Sequence, residues 1–131
     1  MQVFLYINLV EETAYQQPVV VQVRQAFPAL GILDMDARSD ELLQHYALRL
    51  LQEAEQAVVC IKADDATGQL NNLMPLLEEL FQERLQRLVL LQGQHPRLQR
   101  IFAARPQVLF KVVEEEQVVE ELKDFLINTP V

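Results

Sequence analysis

The chain has 131 residues, half of them hydrophobic, and carries 11 basic against 19 acidic residues for a net charge of −8. That length makes one ordinary domain able to bury roughly two-thirds of the surface its unfolded chain exposes, and the apolar content excludes wholesale disorder. Three glycines and no tryptophan argue against a loop-rich or all-β fold, the single cysteine excludes an internal disulfide framework, and the acidic balance disfavours nucleic acid and anionic membranes.

Val3–Val10 is apolar at almost every position, not at alternate ones, as a strand buried on both faces would be, and this places it centrally. It follows Met1 with no basic leader and no small-residue cleavage site, and it is too short to span a bilayer; a soluble, cytoplasmic protein is expected. Pro18 suits the first turn of a helix running to about Phe27. Val19–Val23 is awkward there, because β-branched residues lose side-chain freedom in helices, and a strand is the competing reading. The helix is preferred because a second strand parallel to the first needs a crossover.

Leu30–Met35 is the second strand. Ser39 or Asp40 caps the next helix, in which Leu42, Leu43, Tyr46, Ala47, Leu50, Leu51 and Ala54 recur at three- and four-residue spacing. Ala57–Lys62 is the third strand, and Ala63–Asn71 is a loop. A third helix carries Leu73, Met74, Leu76, Leu77, Leu80, Phe81 and Leu85, with Pro75 in its first turn and Asn71 or Asn72 near its cap. Arg87–Gln92 is strand four. Gly93–Pro96 turns into a short helix bearing Leu98, Ile101 and Phe102. Val108–Val113 is strand five, and a last helix from about Glu115 packs Val118, Val119, Leu122, Phe125 and Leu126 inward.

Strands alternating with helices give (βα)5. Right-handed crossovers then make an α/β three-layer, doubly wound, five-stranded parallel sheet of flavodoxin-like order 2-1-3-4-5, a single domain over 1–131. Ligands of such sheets bind beyond the carboxyl ends of the strands, a rim built from Asn8–Thr13, Asp34–Ser39, Lys62–Asp65 and Gly93–His95. The whole rim depends on Val19–Val23 not pairing antiparallel with Val3–Val10.

Rim candidates for a small-molecule ligand are Asn8, Glu11, Glu12, Asp34, Asp36, Lys62, Asp64 and Asp65. Converging carboxylates such as Asp34, Asp36, Asp64 and Asp65 can hold Mg²⁺, but aspartate belongs equally in turns and N-caps, and no metal is expected. Phospho-receiver domains share the strand plan, yet Glu11 and Glu12 stand where aspartates are needed and strand three ends in Lys62. No glycine-rich phosphate loop follows strand one, so no flavin or dinucleotide bound in the usual way is expected, nor any other cofactor. Cys60, mid-strand among Val58, Val59 and Ile61, reads as a core thiol. His45 reads as surface. His95, just before Pro96, is the better candidate for acid–base work, with helix capping as its alternative.

From Leu33-Asp-Met-Asp36 through Asp40-x-Leu42 to Leu50-Leu51-x-x-Ala54 and Val58-Val59, the order and spacing of elements resemble the Toll/interleukin-1 receptor (TIR) domain, a flavodoxin-like (βα)5 module. Enzymatic members cleave NAD with a glutamate on the helix after strand three, in a Trp-Cys-x-x-Glu-like setting. By that resemblance Glu78 and Glu79 are the candidate catalytic carboxylates. Neither has a preceding tryptophan or cysteine, and the Ser/Asp-rich turn after strand one is missing. With those departures the resemblance implies a non-catalytic interaction module of signalling or defence type.

Charge is unevenly placed. Arg84, Arg87, Arg97, Arg100 and Arg105 fall in one stretch, and Glu114–Glu116, Glu120, Glu121 and Asp124 crowd the last. Solvated helix faces account for this, and so does pairing between copies. Three readings follow. The first is a small binding, signalling or regulatory module working through a protein partner or as a homodimer. The second is an enzyme cleaving a glycosidic bond in NAD or a nucleoside with Glu78 or Glu79; by helical geometry both glutamates are expected to face outward, away from Leu76, Leu77, Leu80 and Phe81. The third is an immunity- or antitoxin-like protein covering a basic target.

Overall fold

Each strand of this chain is followed by a helix, so each connection must cross a face of the sheet before the next strand can pair in parallel. The computed structural model describes residues 2–10, 18–36, 41–64, 73–82, 86–106 and 108–128. The elements are β1 (Gln2–Asn8), α1 (Pro18–Ala26), β2 (Gly31–Asp36), α2 (Glu41–Glu53), β3 (Gln56–Ala63), α3 (Met74–Leu80), β4 (Gln86–Gly93), α4 (Pro96–Ala103), β5 (Leu109–Val113) and α5 (Val118–Asn128). All pairings are parallel and the order is β2-β1-β3-β4-β5. Strand bounds differ from the sequence reading by one or two residues.

The both-faces-apolar pattern explains the layers. Alternate side chains of one strand point to opposite faces, and each face gathers its own core. Val3, Leu5 and Ile7 of β1 join Val59 and Ile61 of β3 and Val89 and Leu91 of β4 beneath α2, α3 and α4. Phe4 and Tyr6 join Val58, Cys60, Leu88 and Leu90 beneath α1 and α5. Each such fully buried aliphatic or aromatic side chain contributes about 1.5–3 kcal/mol.

Pro18–Ala26 is helical, with Val19, Val20 and Val23 buried against the sheet. Tertiary packing and the need for a crossover outweigh β-branched propensity there. The expected caps Ser39, Asp40, Asn71 and Asn72, and Leu85, lie outside the described residues. α3 is shorter than its leucine pattern, closing at Phe81, whose N–H donates to Leu77 and Glu78 carbonyls. The last helix begins with a 3-10 turn, Glu115–Gln117, closed by reciprocal bonds between Glu114 and Gln117. Two residues of the α2 stripe turn outward: Leu42 is 78% and Tyr46 53% exposed. They flank the arc centred on Ala47 and Leu51, the residues that reach the core. Among the described residues no helix is long and apolar enough to cross a membrane.

Candidate functional site

Parallel register sets side chains in rows across the sheet. Asp36, Asn8, Lys62 and Gln92 are successive partners at the carboxyl ends of β2, β1, β3 and β4. Asp34, Tyr6, Cys60 and Leu90 form the row two residues earlier. Both rows lie on the α1/α5 face, because Tyr6 and Cys60 belong to that core. The Tyr6 ring is fully buried and its hydroxyl donates to Gln92 Oε1 at 3.3 Å. Buried Asn8 accepts the Val10 N–H at 3.0 Å through Oδ1, which ends β1 in an Asx turn. The next residue, Leu9, donates its N–H to the Lys62 carbonyl at 2.8 Å. Tyr6 and Gln92 were not among the sequence candidates. An apolar run conceals a tyrosine hydroxyl until its cross-strand partner is known.

Asp36 stands at the end of β2 and Asp64 just beyond β3, both exposed. Asp34 lies within β2, two residues short of its end, so it borders the rim instead of forming it. Partial burial of its carboxyl, with Asp36 nearby, raises its pKa, and Arg24 of α1 opposes the rise. Glu11, Glu12 and Asp65 lie outside the described residues. Among the described residues no three His, Cys, Asp or Glu side chains are grouped to hold a metal ion.

β4 leaves the sheet through Gly93, whose φ of +107° and closeness to Ala63 (an added Cβ would fall 2.1 Å from its carbonyl oxygen) admit only glycine. His95 follows as the N-cap of α4: it is buried, and its Nδ1 accepts the Leu98 N–H at 3.1 Å. The acid–base candidate is thus engaged as a cap, with Pro96 in the first turn. Cys60 is buried, and desolvation pushes its thiol up to about 12 despite Lys62, leaving no thiolate at neutral pH.

The helix-three glutamates separate. Glu78 is exposed, as expected. Glu79 is not: its carboxylate is nine-tenths buried and accepts from Arg87 Nη2 at 2.9 Å. The same nitrogen donates to the Leu51 carbonyl at 3.1 Å, and Nη1 donates to the Glu79 carbonyl. Leu51 and Glu79 lie in the last turns of α2 and α3, so one guanidinium serves two helix C-termini, where a cation is favoured. This clamp is at the first residues of β4, the end of the sheet opposite the rim. Arg87 Nε has no hydrogen-bond partner among the described residues.

No protein-family model and no curated protein matches the chain. Among solved structures, a chain of the crystal structure of the RPS4 and RRS1 TIR domain heterodimer is similar, with a TM-score of 0.57 and 18% identity over 94% of this chain and 97% of that one. The likeness is one of fold, and it agrees with the strand order: this chain has a TIR-like, flavodoxin-like architecture.

Proposed function

We propose that the chain is a small cytoplasmic regulatory or signalling module that works by binding protein, its first partner being a second copy of itself. The observation that carries this reading is the match over nearly the whole chain to a TIR domain solved in complex with another TIR domain. The placement of Glu79 adds support, since a carboxylate held by a buried arginine at the amino end of the sheet is unsuited to meet a substrate at the rim. Two-fold dimers are the commonest soluble assembly. Sedimentation velocity over a wide concentration range tests the reading: a reversible shift from monomer to dimer is expected, and a strict monomer throughout contradicts self-association.

A second reading keeps the rim as a small-molecule site, favoured by the row Asp36, Asn8, Lys62 and Gln92. Incubation with NAD or nucleosides would release free base only if that rim, or Glu78, were catalytic. No release is expected.

A further inference from the structure

Among the described residues five large apolar side chains stand exposed: Leu42 and Tyr46 of α2, Leu109 and Val112 of β5, and Ile127 of α5. Scattered exposure of this kind is ordinary, and only a contiguous patch calls for an occupant. Leu109 and Val112 fall on opposite faces of their strand, and Ile127 is one side chain on its helix. Leu42 and Tyr46 are one helical turn apart. The row they begin continues four residues on to Leu50, partly buried against the core beneath α2.

A second row lies beside this one. Glu41, His45, Arg49 and Glu53 also follow at four-residue spacing, with Glu41 3.6 Å from His45 and Arg49 3.9 Å from Glu53. α2 thus presents an apolar ridge and a charged ridge in adjacent tracks, the kind of surface by which helices interlock. Both charged contacts are long and exposed, so each adds little to the monomer and its members can turn to a partner. The sheet edge nearest α2 is guarded differently. β2 exposes Asp34 and Asp36 on one face, which opposes the joining of two such edges.

We propose that two copies of this chain associate through α2, packed antiparallel about a two-fold axis that crosses the helix at the level of His45. The inference rests on the self-association reading above and gives it a surface. One register satisfies both ridges. With the axis at His45, Leu42 of one copy falls between Leu50 and Tyr46 of the other, at steps of about 3 Å along the helix, so the apolar ridges interleave. In that register Glu41 stands level with Arg49 of the other copy, twice over by symmetry, and His45 meets its own counterpart at the axis. An antiparallel two-fold keeps the two charged ridges on the same side of the joint, where these pairs can form. A two-fold along the helix would set each residue against its identical partner and carry the charged ridges to opposite sides. Charge complementarity therefore selects the antiparallel arrangement, and it selects a second copy because the ridges match themselves about their own midpoint. The assembly closes at two and covers Leu42 and Tyr46.

Sedimentation equilibrium on the full chain tests this with wild type, Leu42→Gln/Tyr46→Gln, Glu41→Arg and Arg49→Glu. All four positions are exposed, and cooperative thermal melts with an unchanged circular dichroism spectrum establish that the variants fold. The apolar double variant is expected to dimerise about tenfold or more weakly than wild type. Each charge reversal alone is expected to weaken dimerisation about fivefold, since like charges then meet at both ends. An equimolar mixture of Glu41→Arg and Arg49→Glu is expected to restore wild-type affinity, because both contacts of the mixed dimer are again opposite in sign. An apolar double variant that dimerises as wild type does would overturn the assigned surface while leaving self-association intact. A mixture no tighter than either reversal alone would overturn the antiparallel register. Growth of wild type beyond dimer would overturn the closed geometry. A wild type that never associates would overturn the underlying reading as well.

Discussion

The two ends of the sheet use polar side chains in different ways. At the amino end, Gln2, Gln56 and Gln86 are register partners, and their amides form a ladder at 2.6 and 2.8 Å across β1, β3 and β4. Beside them, Arg87 joins Glu79 to the ends of α2 and α3 on the opposite face. At the carboxyl end the Tyr6–Gln92 bond also joins strands, while the other residues described there serve single turns: Asn8 closes one loop, Gly93 permits another, and His95 caps one helix. The amino end locks elements to one another, and the carboxyl end shapes the loops that leave it. A carboxylate is therefore not a catalytic candidate merely because it stands on the helix after strand three. Glu79 belongs to the lock.

Substitutions can break this contrast. Arg87→Ala has the largest expected effect, about 3–5 kcal/mol of stability in denaturant unfolding, because it strands a buried carboxylate and two helix-end carbonyls. A loss below about 1 kcal/mol would mean that the clamp is ornamental. Gly93→Ala comes next, with about 1–3 kcal/mol from the positive φ alone and more from the contact with Ala63. His95→Ala removes a cap worth about 1 kcal/mol, measured the same way, and should leave the sheet intact by circular dichroism. The smallest effect belongs to Asp34→Asn. The folded-state pKa of Asp34 is raised, so the folded chain holds that proton more tightly than the unfolded chain does, and the ionised carboxylate opposes folding. Asp34→Asn should raise stability slightly at neutral pH, with the difference vanishing as pH falls through the folded pKa of Asp34. A difference that grows on acidification would reverse the assignment.

Strand order was legible because β1, β3 and β4, buried on both faces, are apolar almost throughout, and five apolar runs separated by helices leave few topologies. Helix α1 was legible only through that topology, since Val19–Val23 argues locally for a strand. Glu79 was misread although its position held the clue: it stands three residues after Leu76 and one before Leu80, inside the buried arc. Its partner Arg87 reads from sequence as a flank of the apolar run, and its role becomes visible only when α2 and α3 end against it. The glutamine ladder and the Tyr6–Gln92 bond depend on register, which no local pattern specifies. Leu42 and Tyr46 carry the right period, but the helix buries a narrower arc than its apolar stripe.

The central claim is that Glu79 belongs to a structural lock in which Arg87 ties β4 to the ends of α2 and α3. Hydrogen exchange read by mass spectrometry on wild type and Arg87→Ala tests it most directly. The predicted result is that exchange speeds most in the last turns of α2 and α3. A uniform rise across the sheet, or no change at those turns, would contradict it.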